Sequence, residues 1–361
     1  MRKKHFLFAS VLALLCGSST LHAQDFKLTS SGYFKNQGVD VMAFDDIYPE
    51  GHQGGVCIIM NGHRVATNGD IRLEATPGQW QPVPKQLDRK LGDNSITAAT
   101  LCYPDSSRHL TGFNPMIYPD LHLIYTVNVE SKGKNIEVTV DLDRPIPQEF
   151  IGKVGFNLEF FPGSLFGKPW IMDGQSGIFP QQPNSPLMTT QPNYLHTGNY
   201  HDGKKSLADM NKLIGKGYSP IVADDIISEP YAKGTKFTSR PDDPYNKVTI
   251  ESLSGDLQLF DGRMNHNNGW FVLRSNIKPG VTKGAVKWII TPNVVADWMY
   301  QPVIQTSQIG YHPTQDKEAV IEMDIRDNRK ETAQIIRIDA DGEKVVKNVT
   351  PANWGKFLRY N

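Results

Sequence analysis

Four aspartate pairs lie close enough in the chain to suggest hydrolysis: Asp45-Asp46, Asp141 with Asp143, Asp224-Asp225 and Asp242-Asp243. Cleaving a glycosidic bond takes one protonated and one ionised carboxyl about 5–10 Å apart across the bond. Adjacent residues of an extended chain point to opposite faces, so these neighbours make poor acid/base partners and read better as solvated loop and turn residues. The ten histidines are scattered, with no His-Glu-x-x-His and no Cys/His ligand spacing, so no metal site is assigned. No Gly-x-Ser-x-Gly, phosphate-binding loop or Gly-x-Gly-x-x-Gly run sits between a strand and a helix, and acyl transfer and nucleotide chemistry lack support. No residue is assigned as catalytic, and no cofactor is implied.

Aromatic side chains carry the other chemistry worth weighing. A sugar ring presents an apolar C–H face that stacks on Trp or Tyr, while amides and carboxylates bind its hydroxyls. Trp80, Trp170, Tyr194 and Trp270 lie in or beside loop-like sequence and are the candidates for glycan contact. Tryptophans of a β-sandwich more often fill its core or an interface, and Trp288 and Trp298 are assigned to packing.

The elements that must position these residues read as strands. Val56–Met60 is an apolar run closed by Asn61-Gly62, and His63–Thr67 is closed by Asn68-Gly69 before Ile71–Glu74. Asn-Gly suits a two-residue turn with positive φ at both positions, so both pairs predict hairpins of a meander. Alternation is clearest through Leu121, Leu123, Tyr125, Val127 and Val129, across Ser131–Asn135, and on through Ile136, Val138, Val140 and Leu142. Period two on both sides of a glycine-containing turn predicts an antiparallel pair with one face buried. Val154, Phe156, Leu158 and Phe160 repeat the pattern. Between Pro162 and Tyr245 the regularity fades into elaborated loops, with one short helix predicted over Lys205–Ile214. Strands return at Lys247–Leu253, Leu257–Phe260, Gly269–Arg274 and Ala285–Thr291. The chain is thus read as all-β, with a large β-sandwich domain carrying long loops over residues 24–300.

A junction at Asn293–Pro302 carries Trp298 and Tyr300 and reads as packed rather than swinging. Beyond it, strands are predicted at Glu318–Asp324, Thr332–Asp339 and Lys344–Val349, with Asp341-Gly342 turning the last two. An immunoglobulin-like sandwich needs about seven strands in about 100 residues, so residues 301–361 are read as a partial one.

At the other end, Arg2, Lys3 and Lys4 precede an apolar run from Phe6 to Leu15 and a small-residue stretch to Ala23, the layout of a secretory signal peptide over residues 1–23. The run is shorter than the roughly 20 residues of a membrane helix, and no transmembrane segment is predicted. A secreted or periplasmic location follows, at the cell surface if Cys16 carries a lipid, against which the bulky Leu15 argues. Removing three basic and no acidic residues takes the formal charge from 0 to −3. Nothing in that balance favours nucleic acid as a partner. Cys57 and Cys102 remain, and a disulfide and two buried thiols are both open to them.

The run Ser307-Gln308-Ile309-Gly310-Tyr311-His312-Pro313, followed by Lys317-Glu318-Ala319-Val320, resembles the opening of the immunoglobulin-like module that precedes the catalytic barrel in family 9 glycoside hydrolases (cellulases). Thr76–Trp80, Gly112–Pro115, Phe161–Gly163 and His266–Trp270 look like the extra N-terminal β-domain of Bacteroidetes-type members. The resemblance implies a noncatalytic N-terminal part of a secreted β-1,4-glucanase, with β-glucan and a C-terminal (α/α)6 barrel as its partners. That family's base lies in an Asp-Ala-Gly-Asp run of the barrel. Asp339-Ala340-Asp341-Gly342 has the same composition in another order and reads as a strand and turn, so no catalytic role is carried over. A glycan-binding or scaffold protein without enzymatic activity is the alternative.

Overall fold

The computed structural model describes residues 25–44, 47–48, 51–52, 55–74, 76–77, 84–102, 121–183, 187–189, 227–264, 269–329, 332–357 and 360. Over these residues the protein is all-β. Two nine-stranded sheets dominate, and their strand pairings are antiparallel. The first runs in the order Lys27–Leu28, Tyr33–Asn36, Val39–Ala43, Val56–Met60, His63–Leu73, Val154–Phe160, Phe271–Asn276, Leu257–Asp261, Ala232–Gly234. The second runs Gln175–Ile178, Pro169–Met172, Lys236–Ser239, Val248–Ser252, Val286–Pro292, Asn135–Leu142, Leu123–Lys132, Ser95–Cys102, Lys85–Leu91.

Alternation places the core between them. Leu123, Tyr125, Val127 and Val129 are fully buried while Ile124, Thr126 and Asn128 between them are not, and Ile136, Val138 and Val140 repeat this on the next strand. Side chains from the two sheets meet edge to face: Phe156 packs on Trp288 with ring centroids 5.0 Å apart, and Phe160 on Phe237 at 5.8 Å. Two polar side chains in this layer are partnered across it. Trp288 Nε1 donates to Ser275 Oγ at 3.0 Å and Tyr125 Oη to Asp70 Oδ2 at 3.0 Å. The result is a β-sandwich with face-to-face layers.

Several sequence expectations need correction. The Asn68-Gly69 pair is no hairpin turn: His63–Leu73 is one strand, with its register to Val154–Phe160 shifted between Asn157 and Glu159. Asn68 takes φ 54° there, so the tolerance for positive φ that suits Asn to a type I′ turn serves a bulge instead. Pro169–Met172, Gln175–Ile178, Ala232–Gly234 and Lys236–Ser239 are strands of the two sheets, although their stretch looked irregular. They are short and lie at or near sheet edges, where proline and glycine are tolerated and alternation is too brief to read. The helix predicted over 205–214 lies outside the described residues. Cys57 and Cys102 are both buried and form no disulfide with each other, which answers the alternative left open by their spacing.

After the last sandwich strand the chain forms two separate hairpins. Val303–Gln305 pairs with Val320–Glu322, and Ala333–Asp339 with Gly342–Val349. The second turns through Ala340-Asp341, one residue earlier than expected. Little of this region is buried: Ile335, Ile336, Ile338, Val345 and Val346 are 43–76% exposed and Trp354 is 89% exposed.

Candidate functional site

The two faces of the first sheet are unequal to what their sequence suggests. Val154–Phe160 alternates apolar and small or polar residues, yet all seven are buried. Val154, Phe156, Leu158 and Phe160 face the sandwich core, so Gly155, Asn157 and Glu159 occupy the opposite, outer face. The register sets Arg72 beside Gly155, Arg274 beside Asn157 and Val272 beside Glu159. A polar patch is therefore enclosed on the outside of the sheet.

Its centre is a tight three-way contact. Asn157 Nδ2 donates to Glu74 Oε1 at 2.6 Å, Arg274 Nη1 donates to Asn157 Oδ1 at 3.1 Å, and Arg274 Nη2 holds the Glu74 carbonyl at 2.7 Å. The same guanidinium lies 3.5 Å from Glu74 Oε1, and its Nε donates to Asn276 Oδ1 at 2.7 Å. Gly155 makes the room: a Cβ there would stand 2.8 Å from Arg274 Nε. Glu159 accepts from Asn68 Nδ2 at 2.6 Å, so the bulge at Asn68 positions an amide against the second carboxylate.

The electrostatics follow from burial. Glu74 is pushed up to about 7 by its removal from water, which outweighs the opposing pull of Arg274, Arg72 and the Asn157 hydrogen bond. Burial pulls the Arg72 guanidinium down, but Glu159, Asp70 and Glu74 together raise it above its usual value. Burial, with Asp70 adding to it, pushes the Tyr125 hydroxyl and the Cys102 thiol well up, so both stay protonated. A carboxyl that exchanges its proton near neutrality is able to take up or deliver one.

Farther along the same two strands, Phe161 and Trp270 pack edge to face, 4.4 Å between centroids, and both are half-buried. Trp270 is the one described glycan candidate beside this patch. Trp170 lies on the other sheet, 7% exposed, with its ring flush on Gly177, where a Cβ would come within 2.5 Å of it. Trp80 and Tyr194 lie outside the described residues, as do Asp45-Asp46 and Asp224-Asp225. Asp141 accepts from the Gly284 amide and Lys283, Asp143 from the Ile124 amide, and Asp243 from Tyr245 N and Asn246. Trp288 is fully buried and Trp298 half-buried at the junction.

Glu74, Asn157, Glu159 and Arg274 escaped the sequence reading because polar residues alternating with apolar ones look like a solvated sheet face. Among the described residues, no group of three or more His, Cys, Asp or Glu side chains is arranged to hold a metal. Among them too, no helix is long and apolar enough to cross a membrane.

No protein-family model matches this chain, and no curated protein matches it. Among solved structures it is similar to the Slr1438 protein from Synechocystis sp. PCC 6803, at 10% identity over 74% of this chain and 94% of that one, with a TM-score of 0.32. It is similar also to HI1317, at 8% identity over 74% of this chain and 98% of that one, with a TM-score of 0.27. Likenesses at these scores carry no functional argument.

Proposed function

We propose that this chain is a noncatalytic N-terminal part of a secreted glycoside hydrolase of the endo-β-1,4-glucanase type, hydrolysis being the task of an (α/α)6 barrel. The observation that carries this reading is the state of residues 303–349. One hairpin encloses the Ser307–Pro313 stretch and a second follows it, and Ile304, Val320, Ile335, Ile336, Ile338, Val345 and Val346 on them are more than 40% exposed. Strands of that composition belong in a sandwich with a facing layer, and uncovered they are a liability. Their setting supports a module that works against further structure. Two experiments test it. Purified residues 24–361 are expected to release no reducing sugar from β-glucans, and measurable hydrolysis overturns the reading. In the gene, codons beyond Asn361 are expected to encode an Asp-Ala-Gly-Asp run, and an immediate stop overturns it.

A second reading, a glycan-binding or scaffold protein without an enzyme, is favoured by the half-buried Phe161–Trp270 pair beside the polar patch. An aromatic ring next to carboxylate and amide groups is a common way of holding a sugar. Retarded migration in gels containing β-glucan, lost in Trp270→Ala, supports it, and unchanged mobility in every β-glucan counts against it.

A further inference from the structure

An asparagine or aspartate followed by glycine is a chemically weak point of a chain. The glycine amide nitrogen attacks the preceding side-chain Cγ, since no Cβ on the glycine screens it and the reacting atoms belong to one small ring. The new N–C bond forms as ammonia leaves an asparagine, or as water leaves a protonated aspartic acid, and the product is a succinimide. Water then adds to one of its carbonyls and breaks a C–N bond, giving aspartate or isoaspartate, in which the main chain runs through Cγ. No oxidant or further reactant is needed. In an unfolded chain near neutrality asparagine reacts ahead of aspartate, because the carboxyl is ionised there and the carboxamide is not.

Five such pairs lie wholly among the described residues, and the fold treats them unequally. Asn61 Nδ2 donates to the Tyr245 carbonyl, and Oδ1 lies 2.6 Å from where a Cβ of Gly38 would stand. Asn68 Nδ2 donates to Glu159 at 2.6 Å, and a Cβ on Gly69 would come 2.6 Å from Val56. Asp173 accepts from the Thr235 and Lys236 amides at 2.8 and 3.0 Å. Asp261 is fully buried and held at both oxygens by Arg263. Asp341 differs from all four. It is exposed in the turn between Ala333–Asp339 and Gly342–Val349, and its carboxyl has no hydrogen-bond or ionic partner among the described residues. Arg337 and Lys344 pair with Asp339 instead. Gly342, after it, has no atom within 4 Å of where its Cβ would be.

We propose that folding reverses the chemical order of these pairs: among the described residues, Asp341-Gly342 is where the native chain forms isoaspartate, ahead of Asn61 and Asn68. This inference is independent of the glucanase reading. The side chain must swing over the following amide before attack. At the other four pairs that motion first breaks a hydrogen bond or ion pair, and at Asp341 it breaks none. The consequence falls on the second C-terminal hairpin. An isoaspartyl link adds one backbone carbon to the turn between Asp339 and Gly342, which are paired in the native register. The product also presents the free α-carboxylate that a protein isoaspartyl methyltransferase esterifies, on an exposed turn within that enzyme's reach.

Incubating the purified chain of residues 24–361 near neutrality, in native buffer and in urea, tests this. Isoaspartate is measured peptide by peptide, by chromatographic retention and by methyl transfer from an isoaspartyl methyltransferase. Conversion at Asn61 and at Asn68 is expected to be at least about tenfold slower in the folded chain than in urea, because their contacts must break first. Asp341 is expected to change by less than about threefold between the two conditions, having no such contact to break, and to lead in the native chain. In urea the two asparagines are expected to lead. Native conversion of Asn61 or Asn68 at the rate seen in urea overturns the proposal, and so does protection of Asp341 by folding as strong as theirs.

Discussion

Trp298 lies so close over Gly38 that a Cβ on the glycine would stand 2.7 Å from its ring. Gly38 holds φ +65° in a hairpin turn, and Gln37 beside it donates to the Trp298 carbonyl at 2.7 Å. The next turn repeats the arrangement, with Tyr300 over Gly62. Two hairpin turns of the first sheet thus seat the junction, each by leaving out a side chain. Gly38→Ala is expected to cost about 1–3 kcal/mol in urea unfolding, through both its backbone conformation and the lost seat. Gly163→Ala, with nothing within 4 Å, is expected to stay within about 0.5 kcal/mol of the parent.

On the far side of that junction Asp324 accepts from the Tyr300 amide at 2.9 Å and from Arg326 Nε and Nη2 at 2.9 and 3.0 Å. Burial pushes its carboxyl up, and these donors outweigh burial, bringing it to about 2. A depressed carboxylate contributes stability that is fully present above its ordinary value of 3.8 and is lost as pH falls toward 2. Protease cleavage between residues 293 and 332 is expected to accelerate from pH 4 to pH 2, measured with an acid-active protease of known pH profile. Asp324→Asn is expected to be cut readily throughout.

Tyr125 and Asp70 join the two sheets by a buried hydrogen bond. Tyr125→Phe keeps the ring and removes the donor to a buried carboxyl, for which a loss of about 1–3 kcal/mol is expected by denaturant titration. Unchanged stability would show that the other contacts of Asp70, the Ile71 amide among them, hold it adequately.

Ile338 is 76% exposed on the second C-terminal hairpin. Ile338→Thr in the chain of residues 24–361 is expected to change stability by no more than about 0.5 kcal/mol while reducing aggregation, read by light scattering on warming. A loss above 2 kcal/mol would mean that this face is already packed.

Much of the sandwich was legible because its second sheet has one core face and one less buried face. The Leu123–Leu142 hairpin appears in the sequence at nearly its observed bounds for that reason. The first sheet was harder to read. Its strand at Val154–Phe160 is buried on both faces, and the outer burial of Asn157 and Glu159 comes from long-range coverage that local periodicity does not encode. Asn68-Gly69 misled for a different reason: positive φ is required alike by a hairpin turn and by a bulge, and only the cross-strand register separates them. Glu74 stands just past a strand end, where a solitary glutamate looks solvated. Its role depends on Arg274, 200 positions away.

That separation bears on how the chain reaches its fold. Val154–Phe160 sits in the middle of the first sheet with one neighbour drawn from far upstream and the other from far downstream. No early-made portion of the chain can close this sheet by itself, and pairings between distant segments form slowly because loop closure precedes any reward. The half-made sheet presents an unpaired central strand until Phe271–Asn276 arrives, so this strand carries a hazard of aggregation during synthesis that the closed sheet removes.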